Sequence, residues 1–213
     1  MRLKHFAGSN SIKVYDKAYT ARGSVLRTET TINDEEQFRV LRPKEGGPEE
    51  DLAWRRMRRG VADTYRRAEV SRRANERYLD ALAGVEDRSR LEDLVAGLEQ
   101  PAVWKKGRVR GLRLFGEDAS LLAAVGHGEF ALNGFRNRDL QSILAGDGAQ
   151  DPNQSRKRSA AIGRKLRMLR AHRLIRKIPK THRYQLTERG RKLINALQIA
   201  KATPLSQLLA LAA

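Results

Sequence analysis

The sequence predicts an α+β fold, mostly helical, with a small β-rich segment at the N-terminus, a helical middle and a helix-rich C-terminal module that contains one hairpin. Three observations predict it. The first forty or so residues hold short runs that alternate with period two and are rich in β-branched side chains. From Trp54 to Gly84 the chain is rich in Arg, Ala, Glu and Leu and has no Pro. Beyond Glu117, apolar residues recur three and four apart, interrupted by one pair of strand-like runs.

Taken in order, "SIKVY" puts Ile12 and Val14 on one side of a strand and Lys13 and Tyr15 on the other. "SVLRTETTI" gives a second strand, with Leu26, Thr28, Thr30 and Ile32 on a shared face, and "QFRVLR" a third, with Phe38 and Val40 inward. "RPKEGGPEED" holds two Pro and a Gly pair and reads as a linker, which closes a β-rich segment at residues 1–43. A helical middle with a short hairpin is expected over 53–116. Its first helix starts at Trp54 and is split from a longer one, about 61–83, by Gly60. "SRLEDLVAGL" is a second helix, with Ser89 as cap, Glu92 at the capping-box spacing and Pro101 as its stop. "AVWKKGRVRGLRLF" reads as a hairpin turning at Lys106-Gly107.

The segment 117–198 carries the most information. "EDASLLAAVGHGEF" is a short helix burying Leu121, Leu122 and Val125, with His127 in the loop after it. "NGFRNRDLQSILAGD" is a second, capped by Asn137, with Leu140, Ile143 and Leu144 inward. A long third helix follows, with Ile162, Leu166 and Leu169 spaced for one face. "IRKI" and "HRYQLT" then form a hairpin across a Pro turn, and Thr187 caps a last helix that buries Leu193, Ile194 and Leu197. Residues 199–213 form an apolar helical tail, which either docks on the module or makes a homodimer contact.

Charge narrows the function classes. The chain has 43 Lys and Arg against 25 Asp and Glu, a net charge of +18. Self-repulsion on that scale is relieved by a polyanion, and nucleic acid is the commonest one. With no Cys, disulfides, thiolate catalysis and Cys-ligated zinc are excluded. The four His residues are scattered without metal-ligand spacing, so no metal site and no cofactor are expected. No apolar run reaches about 18 residues, so no membrane partner is expected. The N-terminus lacks a signal-peptide core, and the expected location is cytoplasmic and nucleoid-associated.

The stretch "HRLIRKIPKTHRYQLTERGRKLI" resembles the winged helix-turn-helix modules of the MarR-like bacterial regulators. Leu169, Leu174, Ile175, Tyr184, Leu186, Thr187 and Gly190 carry the resemblance. It implies a winged helix over 117–198 that binds double-stranded DNA, as a transcriptional regulator or a mobile-element DNA-binding protein. The third helix departs from the family pattern in carrying far more Arg. The whole chain also looks like the C-terminal part of longer uncharacterised bacterial proteins with "S-I-K-x-Y-D-K" and "L-R-x-E-T-T-I-N". "IKVYDK…VLRTETTIND" resembles strands of plasmid rolling-circle replication initiators, although the paired-His metal motif of those nucleases is absent.

A helical step of about 100° per residue puts Lys157, Arg164 and Arg167 opposite the apolar stripe of the third helix, with Arg156 at the edge and Asn153 near the N-terminus. Arg pairs bidentately with guanine and Asn with adenine, so Asn153, Arg156, Arg164 and Arg167 are the expected base readers, with Lys157 a further DNA-binding cation beside them. The hairpin adds Arg176, Lys177, Lys180, His182 and Arg183 as phosphate contacts. From Ser155 to Lys192 there are fifteen Lys and Arg against Glu188 alone, whereas a solvated face would intersperse acids. A second basic stretch, "WRRMRRGVADTYRRAEVSRRANERY", holds nine Arg and three acids; a further backbone contact and a solvated, internally paired helix account for it equally well. Tyr65 and Tyr78 within it are expected in a core or an interface. No catalytic residue is assigned. The alternative from another class is a replication or recombination enzyme that nicks DNA through Tyr15 with Glu29 and a divalent metal. Pairing of Glu29 with Lys13 or an Arg27-type neighbour is the favoured account of that carboxylate.

Overall fold

The structure, a computed structural model, describes residues 2–20, 23–82, 90–145, 152–204 and 206–207. It is an α+β fold with small antiparallel sheets, and its contacts divide it into two units. The first comprises 1–80, 128–134 and 177–185, and the second 81–127, 135–176 and 186–213.

In the first unit β1 (Arg2–Ala7), β2 (Asn10–Thr20) and β3 (Gly23–Thr31) form an antiparallel sheet in the order β1-β2-β3. The alternation read from "SIKVY" holds, since Ile12 and Val14 are fully buried. Their cross-strand partners on that face are His5 and Thr30, and Leu3 and Thr28. Leu26 ends the same row but is half exposed. The buried face is covered by α1 (Thr64–Leu82), which contributes Tyr78 to the cluster of Ile12 and Val14. Asn75 accepts from the Thr30 hydroxyl at 2.7 Å, which ties the helix to β3 by a polar bond as well.

A second two-stranded sheet pairs β4 (Arg39–Arg42) with β5 (Ala53–Arg56). Here the structure corrects the sequence. Trp54 was expected to open a helix, but it sits in a strand opposite Leu41. The composition of 53–56 favours helix only locally; pairing with β4 overrides it. Residues 43–52 are therefore the loop of a hairpin rather than a linker between separate segments. Gly60, at φ 70°, leads through a 3₁₀ turn (Gly60–Asp63) into α1, so helix starts at Thr64. Phe38, Val40, Met57, Ala74 and Leu132 make this unit's other core cluster.

In the second unit, α2 (Leu91–Val95) ends well before Pro101, and Arg90 rather than a capping side chain precedes it. Ser89, the expected cap, lies outside the described residues. β6 (Ala102–Trp104) pairs with β7 (Gly107–Val109). Trp104 faces Gly107, so the turn is Lys105-Lys106, one residue earlier than expected, and Lys105 takes the positive φ of 52°. Leu121, Leu122 and Val125 are buried on α3 (Ala119–Val125), as read from the sequence. A short helix, α4 (Phe130–Asn133), is unforeseen and belongs to the first unit. α5 (Asn137–Ala145) buries Leu140 but leaves Ile143 38% exposed. Ile162, Leu166 and Leu169 are buried on α6 (Pro152–Ala171), as their spacing predicts.

β8 (Ile175–Lys177) pairs with β9 (Tyr184–Leu186), and α7 (Glu188–Ala202) follows. The Thr187 hydroxyl accepts from the Gly190 amide at 3.1 Å, and the Thr187 amide donates to the Leu174 carbonyl at 3.0 Å. A Cβ at Gly190 would lie 2.1 Å from that same carbonyl, so only glycine permits the approach. The "LT..G" pattern is thus a cap and a close contact made together. Of the expected tail 199–213, α7 takes the first residues, and 205 and 208–213 lie outside the described residues. No helix among the described residues is long and apolar enough to cross a membrane.

Candidate nucleic-acid interface

α6 is buried along Ile162, Leu166 and Leu169 because these residues recur at helical spacing. That burial turns Arg156, Lys157, Arg164 and Arg167 outward, and all four are exposed. Among the described residues none of the four makes an ion pair or a side-chain hydrogen bond. Arg156 and Lys157 lie in the second turn of α6, and its first turn holds no acid. Asn153 is exposed in the same first turns. Arg173 and Arg176, just beyond α6, are also exposed.

The basic stretch around α1 is built differently. Each of its nine Arg has a partner: Arg55 with Asp51, Arg56 with Glu36, Arg58 and Arg66 with Asp63, Arg59 and Arg67 with Glu35, Arg72 and Arg73 with Glu69, and Arg77 with the carbonyls of Ala131 and Leu132. Asp63 is the hub, 1% exposed. Burial pushes its carboxyl up, but hydrogen bonds from the Arg58 side chain and amide and the charges of Arg58 and Arg42 outweigh this and hold it below the usual range. Of the two accounts left open for this stretch, internal pairing is the one its geometry supports. Tyr78 is core, whereas Tyr65 is 82% exposed.

The β8–β9 hairpin divides the residues expected on it. Lys177, Lys180 and His182 are exposed, and Lys180 holds a φ of 55° at the turn. Arg183 was expected to project beside them and does not. It is 7% exposed, and its guanidinium donates to the Gln37 side chain at 2.9 Å and to the carbonyls of Gly134 and Asn133 at 3.3 and 3.5 Å. The Asn133 amide donates to the Gln37 carbonyl at 2.9 Å, so Arg183 closes a polar knot. Arg183 lies just before β9, and these partners, distant in the chain, hold it inward. Gly134, at φ 65°, lets the chain pass where a Cβ would lie 2.1 Å from the Tyr184 carbonyl.

A cationic element missed from the sequence packs on α6 itself. The β6–β7 hairpin contacts α6, and the Arg170 guanidinium stacks 4.6 Å from the Trp104 ring centroid. His172 Nε2 lies 3.0 Å from the Arg110 carbonyl, a second anchor. Lys105, Lys106 and Arg108 are exposed, and among the described residues they have no acidic partner. Arg110 is held back from this set by Asp118, at 2.7 and 2.8 Å. Lys105, Arg173 and Lys180 are the non-glycine residues with positive φ among those described, and all three are exposed cations at chain turns. The signal available in the sequence was Lys-Lys beside the turn of the hairpin expected there.

Comparison with protein-family models, curated proteins and solved structures finds no match to this chain.

The Tyr15 and Glu29 pair is brought together, as the nicking alternative requires, and so are the neighbours that account for it otherwise. Tyr15 Oη donates to Glu29 Oε1 at 2.6 Å, Lys13 Nζ lies 2.7 Å from Oε2, and Arg27 Nε lies 2.9 Å from Oε1. Hydrogen bonds from Lys13 and Tyr15 lower the Glu29 pKa to about 2, and the bond to Glu29 raises that of Tyr15. A phenol whose proton is held this way is a weaker nucleophile at neutral pH. Among the described residues no group of three or more His, Asp or Glu is placed to hold a metal ion.

Proposed function

We propose that the chain binds double-stranded DNA without cutting it, as a transcriptional regulator or the DNA-binding part of a mobile-element protein. In this reading α3, α5, α6, the β8–β9 hairpin and α7 form a winged helix-turn-helix. Asn153, Arg156, Arg164 and Arg167 read base edges, and Lys157, Arg176, Lys177, Lys180 and His182 contact phosphates. The observation that carries it is the contrast between two basic helices of one protein. The Arg around α1 are matched to carboxylates or carbonyls, while Arg156, Lys157, Arg164 and Arg167 of α6 have no acidic partner among the described residues. Unmatched like charge on one helix opposes folding by repulsion, and a polyanion removes that penalty. Lys105, Lys106 and Arg108 extend the same chemistry alongside α6 through the Trp104–Arg170 contact.

Fluorescence anisotropy of a labelled mixed-sequence duplex across a salt series tests the reading. The account expects log affinity to fall against log salt with a slope of about −0.9 per phosphate contacted. A pool selection separates readers from neutralisers: Arg164→Ala broadens the set of bound sequences, and Lys180→Ala weakens all of them alike. An affinity that ignores salt defeats the proposal.

A further inference from the structure

The β1-β2-β3 sheet has one face packed under α1 and one face that the duplex-binding reading does not use. The cross-strand register fixes what stands on the second face. Arg2, Tyr15 and Arg27 form one row, Lys4, Lys13 and Glu29 the next, and Phe6, Ser11 and Thr31 the third. Two features of this face are unfavourable for a sheet that only has to be stable. Lys4 stands directly opposite Lys13, a like-charge pair. Phe6 is 57% exposed, although it lies on a strand with a covered face available one residue away. Its ring is met by the Lys4 ammonium, 4.2 Å from the centroid. Among the described residues these three rows carry four cations and two aromatic rings against a single carboxylate, Glu29, which Lys13, Arg27 and Tyr15 already engage.

We propose that this sheet face is a second binding site, for single-stranded DNA, in which Phe6 and Tyr15 stack bases and Arg2, Lys4 and Arg27 hold the phosphates. Four residues of strand and one strand spacing separate the two rings, roughly 14 Å at about 3.4 Å per residue and 4.8 Å per strand. That exceeds one base rise of about 3.4 Å several-fold, so the rings take separate bases of an extended strand rather than neighbours in a duplex stack. Base–aromatic stacking needs no base-specific hydrogen bond, so the site tolerates sequence. Glu29 serves as a positioning residue, holding the Tyr15 ring through the 2.6 Å bond while its own charge is balanced by Lys13 and Arg27. The choice of DNA over RNA rests on the duplex-DNA reading above; the stacking site itself does not.

The test measures anisotropy of labelled oligo(dT), oligo(U) and a duplex against the parent chain and four variants of it. Phe6→Ala weakens oligo(dT) binding roughly five- to hundredfold and leaves the duplex within twofold. Tyr15→Phe keeps the ring but loses the bond to Glu29 that positions it, so it weakens oligo(dT) binding less than Tyr15→Ala does. Arg164→Ala with Arg167→Ala does the reverse, losing the duplex and keeping oligo(dT), which separates failure of this site from failure of the α6 reading. Photocrosslinking of a bromodeoxyuridine strand, mapped by mass spectrometry, places the adducts in peptides containing Phe6 or Tyr15. Unchanged oligo(dT) affinity in Phe6→Ala, equal losses on both probes, adducts confined to α6, or oligo(U) bound tenfold tighter than oligo(dT) would each overturn the proposal.

Discussion

The Arg170 guanidinium stacks on the Trp104 ring at 4.6 Å, and through that contact α6 carries the β6–β7 hairpin on its flank. A helix with outward cations and a lysine-tipped ribbon are thereby packed side by side in the second unit.

Lys105 gives this arrangement a signature. Its φ of 52° is a conformation that costs an L-residue about 1 kcal/mol and glycine nothing. Lys105→Gly is therefore expected to raise unfolding stability by up to about 1 kcal/mol while weakening duplex DNA several-fold. Denaturant melts and anisotropy on one preparation check both signs. A destabilised variant would mean that the Lys105 side chain holds the turn.

Arg183 and Lys180 separate two roles within one hairpin. Arg183→Ala leaves the Gln37 side chain and the Gly134 carbonyl without their donor and is expected to lower stability by about 2 kcal/mol. Its salt slope for duplex DNA stays that of the parent protein. Lys180→Ala is expected to do the opposite, with unchanged melting and a slope shallower by about 0.9. Urea melts alongside the salt series decide this.

Asp118 is buried, and it accepts from both Arg110 guanidinium nitrogens and from the Arg113 amide. Burial pushes its carboxyl up, but the bonds and charge of Arg110 hold it below the ordinary 3.8. Its contribution is complete above that value and is lost as pH falls through the lower folded-state pKa. Asp118→Asn is expected to cost about 3 kcal/mol, the low end for a broken buried pair, because the Arg110 side chain is 44% exposed.

Glu29 sets a second acid window. Its pKa of about 2 against the ordinary 4.5 means that its contribution fades between those values as pH falls. Glu29→Gln is therefore expected to flatten the acid limb of the stability curve over that interval, with little change in slope above it. An acid limb identical to that of the parent protein would mean that the pairs with Lys13 and Arg27 hold no net energy.

The parts of this structure legible in the sequence are those where one residue's neighbours are close in the chain. Ile12 and Val14, the Ile162–Leu166–Leu169 stripe and the Thr187 cap follow from local periodicity or capping chemistry. Ala53–Arg56 was misread because its strand exists only through pairing with β4, across a loop. Arg183 was misread for a related reason. Its partners Gln37, Asn133 and Gly134 lie far from it in the chain, and nothing local distinguishes it from the exposed Lys180. The outward set of α6 was legible because helical geometry fixes it once the apolar stripe is known. The β6–β7 cations were not, since only the Trp104–Arg170 contact places them beside α6.

The most direct measurement is the salt dependence of duplex affinity for the parent chain and for Arg164→Ala with Arg167→Ala, with folding of both verified by circular dichroism. The account predicts a steep line for the parent and one shallower by about 1.8, two contacts' worth, for the variant. Parallel lines of equal intercept would show that α6 does not touch the DNA.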